Sequence, residues 1–168
     1  MTLTPEVLVE IRQIEELKYR YLRCVDLKCW DELAELLLPD ATASYGGGAY
    51  AFSSRDAIME FLRKTMGSES ILSSHKCHHP EISFEANGTV ANGVWALDDV
   101  VVRQDYGLTL RGAAYYYDTY HKVDGRWLIA STGYKRVYEE FYPRASIEGL
   151  RVTADYWATG GRSKLPAE

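Results

Sequence analysis

Polar side chains of three kinds occur in segments whose remaining pattern is typical of buried structure. Tyr21 and Asp26 belong to the first predicted helix, and Asp99 interrupts an apolar predicted strand. His75 lies in the polar stretch ahead of the strands. A small core does not bury a phenol, an imidazole and a carboxylate without partners, because each loses hydrogen bonds to water. Together they indicate an acid–base site, with the imidazole as base and the phenol as proton donor.

Alternation along a strand separates the two neighbouring aspartates. Side chains of successive strand residues point to opposite faces, so Asp98 and Asp99 cannot share one. Asp99 shares its face with Trp95 and Leu97, whereas Asp98 is expected at a rim in water. A carboxylate on such a face needs a cationic or donating partner, and we expect His75 to be that partner.

The histidine segment offers more than one candidate base. His75 is favoured over His78, and His79, which precedes Pro80, is expected to be structural. These histidines and Cys77 could also bind a metal. Zinc sites usually draw on two spaced clusters, and the sequence has no second cluster of Cys or His. We therefore predict no metal and no other cofactor.

The spacing of Tyr21 and Asp26 limits how they can cooperate. Five residues correspond to about 140° around an ideal helix, so both cannot face one cavity unless the helix ends or bends between them. Asp26 could instead cap the next helix, which opens near Cys29.

Composition restricts the class of protein. The chain has 168 residues, of which 46% are hydrophobic and 26% charged, as in a globular domain. Its net charge of −5 argues against a nucleic-acid surface, and no apolar run is long enough to span a membrane. Three cysteines without C-x-x-C spacing, and an N-terminus unlike a secretory signal, favour a cytoplasmic location.

The order of elements predicts one domain with helices first and strands after. Thr4, with Pro5 behind it, opens the first helix, and Asn87-Gly88 predicts a type I′ hairpin. Further helices are expected over residues 30–38 and 53–67, with a polar loop over 68–79. Strands are expected over residues 41–45, 49–52, 81–86, 89–102, 108–123 and 127–137.

This order indicates an α+β fold with helices packed on one face of a curled sheet. The strand around Val94–Val102 is apolar on both faces, and the helices can cover only one. We therefore expect a second subunit to cover the other face.

Several strings resemble the SnoaL-like proteins, which share a cone-shaped α+β barrel with scytalone dehydratase and ketosteroid isomerase (the nuclear transport factor two-like fold). The strings are most similar to bacterial bile acid 7-alpha-dehydratase, and the resemblance covers about residues 11 to 145. They are residues 14–26, Trp30-Asp31-Glu32-Leu33, Ser44-Tyr45, His78-His79-Pro80-Glu81-Ile82, Asp124-Gly125-Arg126-Trp127 and residues 132–140. A curved, mixed or antiparallel sheet wrapped around N-terminal helices is implied for residues 1–145. Residues 146–168 would form a tail packed on the barrel or on a neighbouring subunit.

By the same resemblance, catalytic roles fall on Tyr21, His75 and Asp99, with Asp26 as a second carboxylate and Tyr45 in the pocket. Substrate contacts are further expected from His78, Tyr115, Tyr134 and Arg136, and Tyr116 and Tyr117 are additional candidates. Arg136 could pair with a ligand carboxylate or with a core aspartate.

The expected activity is a cofactor-independent dehydratase acting on a small, apolar, steroid-like or other alicyclic hydroxy-ketone. His75, steadied by Asp99, would remove a proton made acidic by a carbonyl. Tyr21 would donate a hydrogen bond or a proton to the developing oxyanion or to the leaving hydroxyl. Ketosteroid-type isomerisation, polyketide cyclisation and a non-catalytic ligand-binding module are alternatives. The resemblance favours a homotrimer over a dimer.

Overall fold

Helices precede strands in the computed structural model, which describes residues 3–165. The three longer helical elements are α1 (Pro5–Asp26), α2 (Trp30–Glu35) and α3 (Arg55–Met66), and a short α4 (Tyr156–Thr159) lies near the C-terminus. The strands are β1 (Leu37–Tyr45), β2 (Tyr50–Phe52), β3 (Ile71–Phe84), β4 (Val90–Arg103), β5 (Leu108–Val123) and β6 (Arg126–Pro143).

One sheet contains all six strands, in the order β2-β1-β6-β5-β4-β3. Strands β1 and β6 run parallel, and the other neighbouring pairs are antiparallel. The sheet is curved and does not close, with the N-terminal helices against its inner face. The α+β prediction is confirmed. No helix within residues 3–165 combines the length and the apolar character needed to cross a membrane.

Helix α1 packs against the inner face of the sheet. The Thr4 hydroxyl accepts a hydrogen bond from the amide of Val7, and Pro5 occupies the first turn, where it needs no amide partner. The buried stripe of α1 follows helical spacing and ends at Val25, one residue before Asp26, the last helical residue. The stripe is Ile14, Leu17, Lys18, Tyr21, Leu22, Cys24 and Val25.

Two helix boundaries differ from the prediction. Helix α2 ends at Glu35, and β1 already begins at Leu37. Pro39 lies where the β1–β6 register is interrupted, so its missing amide hydrogen breaks no ladder bond. Helix α3 begins at Arg55, two residues after the predicted start, and the hydroxyl of Ser54 caps it by accepting from the Ala57 amide.

The histidine segment is a strand and not the predicted loop. Strand β3 pairs with β4 from Ile71 onward, because the ladder satisfies the backbone whatever the polarity of the side chains. The register shifts between His78 and Glu81, and His79 has a φ of +50° there. This β-bulge adds a residue to β3 alone, so the inward-facing residues change parity across it.

The hairpin turns follow the sequence signals in part. Asp124 and Gly125 both have positive φ (+49° and +79°), as a type I′ turn requires. At Asn87-Gly88 a hairpin also forms, but only Gly88 has a positive φ, so the predicted type I′ turn is wrong. Glu85 and Val90 close a longer turn through the Glu85 amide and the Val90 carbonyl.

Candidate active site

A cavity of about 430 Å³ lies between α1, α3 and the inner face of the sheet. That volume is within the range of small-molecule sites. Its apolar lining residues include Leu22, Val25, Phe61, Leu62, Met66, Val101, Leu108, Leu110 and Phe141, and its polar lining residues include Tyr21, Tyr45, His75, Asp99, Tyr116, Tyr134, Arg136 and Glu139.

His75 is paired with Asp26 and not with Asp99. The Nδ1 atom of His75 lies 2.6 Å from the Asp26 Oδ1 atom, and the backbone amide of His75 donates to Oδ2 at 2.9 Å. The hydroxyl of Ser73 donates to the same carboxylate at 2.8 Å. Burial raises the pKa of Asp26, but the hydrogen bonds from His75 and Ser73 outweigh it, so the net pKa lies below 3.8.

The end of α1 explains this pairing. Tyr21 lines the cavity. Asp26 lies on the last turn of the helix and bonds to His75 on β3, but it does not line the cavity itself. The angular separation expected between Tyr21 and Asp26 is therefore retained, and the carboxylate acts on the cavity only through the imidazole. Asp26 does not cap α2, because no side chain caps that helix.

Asp99 faces inward as predicted, but its partner is Arg136. Nη1 and Nη2 of Arg136 donate to Oδ1 and Oδ2 of Asp99 at 2.5 and 2.9 Å, a bidentate geometry. Nε of Arg136 lies 2.9 Å from Glu139. Burial alone would lower the pKa of Arg136, but the bonds to Asp99 raise it above the usual value. The expected support of His75 by Asp99 is thus wrong, although the two residues are cross-strand neighbours.

A glycine makes room for this ion pair. Gly112 is opposite Asp99 on β5, and a Cβ atom there would lie 2.8 Å from Nη1 of Arg136. It would also lie 2.9 Å from the backbone oxygen of Tyr138, which cannot move independently of the strand. Any side chain at Gly112 would therefore push the guanidinium away from Asp99.

Two phenols meet at the inner wall of the cavity. The hydroxyls of Tyr21 and Tyr45 lie 2.9 Å apart and are hydrogen-bonded to each other. Burial raises the pKa of both phenols above the usual value of 10, so both remain protonated near neutral pH. When one phenol donates to the other, the second keeps its proton for a ligand.

Tyr134 and Arg136 line the cavity, but two predicted contacts do not. Tyr115 is 43% exposed on the outer face of the sheet, because alternation along β5 turns its neighbour Tyr116 inward. His78 is exposed, since it has the opposite parity from His75 on β3. Neither Tyr115 nor His78 reaches the cavity wall.

The comparison with protein families is decisive for the fold. A model of the SnoaL-like domain matches residues 6–133, about three quarters of the chain. The chain belongs to the SnoaL-like domain family. This confirms the family-level resemblance.

Solved structures agree with the SnoaL-like assignment. A candidate scytalone dehydratase from Novosphingobium aromaticivorans is 26% identical with a TM-score of 0.76, and the match covers 83% of this chain and 92% of that one. The hexachlorocyclohexane dehydrochlorinase LinA-type3 from Novosphingobium barchaimii is 19% identical with a TM-score of 0.73, covering 86% and 97%. ActVI-ORFA from Streptomyces coelicolor is 15% identical with a TM-score of 0.64, covering 76% and 96%. The last two similarities show the fold alone.

A second polar network lies behind the cavity of this SnoaL-like domain, and the sequence reading missed it. Lys18 and Asp118 form an ion pair at 2.7 Å with both side chains fully buried. The hydroxyls of Tyr120 and Thr132 donate to the Asp118 carboxylate, each at 2.7 Å. The Lys18 ammonium also lies 3.4 Å from the ring centroid of Tyr116. Position within the α1 stripe, and alternation along β5, are the signals that could have revealed this pair.

The segment considered for metal binding is divided by the strand. His75 and Cys77 have inward parity on β3, whereas His78 is exposed. Burial raises the pKa of Cys77 to about 11, so its thiol stays protonated near neutral pH. Within residues 3–165, no three His, Cys, Asp or Glu side chains are grouped closely enough to hold a metal ion.

Proposed function

We propose that this SnoaL-like protein is a cofactor-independent lyase that removes water from an uncharged alicyclic or polycyclic hydroxy-ketone. The observation that carries the proposal is a carboxylate-paired imidazole and a pair of hydrogen-bonded phenols that line the same largely apolar cavity. The similarity to a candidate scytalone dehydratase, at 26% identity, supports an elimination. The steroid-like substrate rests on the resemblance to bile acid 7-alpha-dehydratase.

The proton acceptor is His75. Asp26 holds Nδ1, which fixes the tautomer and leaves Nε2 as the lone-pair nitrogen for the cavity. A carbonyl next to the reacting carbon makes its C–H acidic, and Nε2 takes that proton. The resulting imidazolium is stabilised by the Asp26 carboxylate.

The proton donor is Tyr21, supported by Tyr45. The C–O bond to the leaving hydroxyl breaks as the new C=C bond forms, and Tyr21 supplies the proton that turns this hydroxyl into water. Proton return from His75 to Tyr21 restores the starting state. Arg136, paired with Asp99, lines the same cavity, but its charge is already balanced and is given no role in proton transfer.

The apolar wall favours the carbon skeleton of an alicyclic substrate. Leu62, Val101 and Leu110 offer only dispersion contacts and the hydrophobic effect. Asp99 and Glu139 both pair with Arg136 and balance its charge, so this guanidinium would not attract an anionic group of a ligand. An uncharged ring system is the ligand that these walls suit best.

A substrate panel tests the proposal. Hydroxy-ketones with one to four fused alicyclic rings, hydroxy-steroids included, are incubated with the protein, and products are followed by mass and by absorbance of the new conjugated double bond. We expect loss of one water, strongly slowed in His75→Gln and Tyr21→Phe. Asp98→Asn is the matched control, because Asp98 is exposed on the opposite face of β4. Unchanged turnover in both site variants would refute the assignment.

Product mass separates the alternatives. A product of unchanged mass would indicate isomerisation or cyclisation by the same base and acid. Tight binding without any product over long incubation would indicate a ligand-binding module.

We further propose that the SnoaL-like chain forms a homo-oligomer, a trimer in preference to a dimer, through the outer face of the sheet. Tyr117 is paired with Val94 and Tyr115 with Ala96 on that face, and the two tyrosines are 50% and 43% exposed. Contiguous apolar surface of this kind usually marks an interface. Sedimentation equilibrium should show an assembly that Tyr117→Glu dissociates, and a wild-type monomer would refute this proposal.

A further inference from the structure

Lys28 lies in the turn between α1 and α2, two residues beyond the carboxylate that holds His75. Its φ is +56°, a left-handed conformation that residues other than glycine rarely adopt. The Lys28 Nζ atom donates to the backbone oxygen of Ile71 at 3.0 Å. A strained backbone persists only where surrounding contacts hold it, and this hydrogen bond is such a contact.

Two sets of side-chain hydrogen bonds therefore join the end of α1 and the turn after it to the first part of β3. Asp26 accepts hydrogen bonds from Ser73 and His75, and Lys28 donates to Ile71, two residues before Ser73. Over residues 3–165, no backbone-to-backbone hydrogen bond connects the end of α1 with β3. Side-chain hydrogen bonds, of which the Lys28 bond is one, therefore join the end of α1 to β3 beside the Asp26–His75 pair.

The C-terminal segment covers Lys28. Trp157 of α4 is half-buried, and its ring centroid lies 4.7 Å from the Lys28 Nζ atom, within cation–π range. Burial lowers the pKa of Lys28, and the nearby carboxylate of Asp26 opposes that shift. The ammonium is enclosed between the indole ring and the Ile71 carbonyl.

The position of Trp157 is itself fixed by the barrel. Asp155 caps α4 by accepting from the amides of Trp157 and Ala158, at 2.8 and 3.1 Å. Asp155 also accepts from the side-chain amide of Gln104 at 3.2 Å. The backbone amide of Gln104 donates to the backbone oxygen of Ser70, the residue before Ile71. The contacts therefore run from Asp155 to Gln104, which follows β4, then to Ser70, which precedes β3, and from Ile71 to Lys28.

We propose that Lys28 and Trp157 are positioning residues for the His75–Asp26 pair, which makes residues 155–159 part of the site. Neither residue touches the reacting atoms. Together they hold the end of α1 against β3, so that the bond between Nδ1 and Oδ1 stays short. The geometric claim stands alone, and only its consequence for turnover rests on the proposed function.

The short hydrogen bond between His75 and Asp26 can be observed directly by NMR. A proton in a charge-assisted N–H···O bond of 2.6 Å resonates far downfield in ¹H NMR and exchanges slowly with water. Its assignment is checked by its loss in His75→Asn. In Lys28→Met and Trp157→Leu, the resonance should move upfield, and its exchange should be about tenfold faster, the equivalent of one lost hydrogen bond.

Conservative variants and a matched control separate positioning from general stability. Trp157→Phe keeps an aromatic face and should keep the wild-type resonance. Lys135→Met is the control, because Lys135 also lies near an aromatic ring (5.7 Å from the Tyr117 centroid) but on the outer face of the sheet. If Lys28→Met does not fold, Trp157→Leu decides alone, since α4 lies outside the core. An unchanged resonance in folded Trp157→Leu would overturn the proposal.

Kinetics distinguish this inference from the proposed function. With a hydroxy-ketone that the wild type converts, Lys28→Met should lower kcat about tenfold and leave KM unchanged, because substrate contacts are intact. A shifted resonance in a protein that converts no hydroxy-ketone supports the positioning role and counts against the lyase assignment alone.

Discussion

Helix α1 carries two charged pairs to the sheet, and they differ in exposure. Lys18 meets Asp118 on β5 with both side chains at 0% exposure, whereas Asp26 meets His75 on β3 with 19% and 13% exposure. The first pair is enclosed by Tyr120, Thr132 and Tyr116, so no ligand can reach it. The second contributes His75 to the cavity lining, where we propose that its free imidazole nitrogen meets a substrate.

We propose that the degree of enclosure, and not the chemical type of the pair, decides whether a charged pair can act on a ligand. A pair without access to a ligand cannot act on one, and removal of one partner leaves the other charge buried and uncompensated. A pair with one open nitrogen can pass a proton and still keep its carboxylate hydrogen-bonded. The two pairs should therefore respond differently to substitution.

The enclosed pair should give the largest loss of stability. Lys18→Met leaves the Asp118 carboxylate buried without its cation, and we expect the free energy of unfolding to fall by about 3–5 kcal/mol. Urea denaturation followed by circular dichroism measures this. The double variant Lys18→Met with Asp118→Leu removes the isolated charge and should recover part of the loss. A fall smaller than about 1 kcal/mol would place the pair among weak surface ion pairs.

The open pair should give the largest loss of turnover. In Asp26→Asn the amide no longer stabilises the imidazolium, and kcat should fall by about a hundredfold to ten-thousandfold. The loss of stability should be smaller than for Lys18→Met, because Asp26 is partly exposed. Asp98→Asn is the control in the same assay. Equal kcat in the Asp26 and Asp98 variants would remove the distinction between the two pairs.

Acidification should sharpen the contrast. The folded-state pKa of Asp26 is depressed below 3.8, so its stabilising effect is fully present above that ordinary value and disappears as pH falls through the lower folded-state pKa. The difference in unfolding free energy between wild type and Asp26→Asn should therefore shrink as pH falls below about 4. Denaturation curves at a series of acidic pH values measure it. A difference that does not change with pH would show that Asp26 is not ionised in the folded protein.

The smallest effect is expected at the phenol pair. Tyr45→Phe removes one hydroxyl from the 2.9 Å bond with Tyr21, which should cost about 1 kcal/mol of stability and about tenfold in kcat. Thermal unfolding and the dehydration assay measure the two effects. Tyr117→Phe on the outer face is the matched control and should change neither.

Local rules predicted much of this fold. Caps, helical spacing and alternation predicted α1, the strand order along the chain and the inward face of Asp99. They could not predict that residues 71–79 form a strand, because the pairing with β4, and not local composition, stabilises it. The partner of His75 was missed for the same reason. Once β3 extends beside the end of α1, Asp26 is the carboxylate within reach.

Other features of the site depend on long-range contacts. The pairing of Arg136 with Asp99 joins β6 to β4 across β5, and Gly112 makes room for it, which no local pattern reveals. The outward position of Tyr115 depended on the parity of β5, and a run of three tyrosines gives no parity of its own. Lys18 was overlooked because a lysine on an apolar stripe normally extends its ammonium to water.

The bulge in β3 uncouples two parts of one strand. Before His79 the odd-numbered residues His75 and Cys77 have inward parity, and after it the even-numbered Ile82 and Phe84 pack on the core. A deletion of this one residue would turn either the part before it or the part after it to the other face of the sheet. It would expose either the imidazole of His75 or the apolar side chains of Ile82 and Phe84. Substitutions in the first part can therefore change the lining of the cavity while the second part continues to pack on the core.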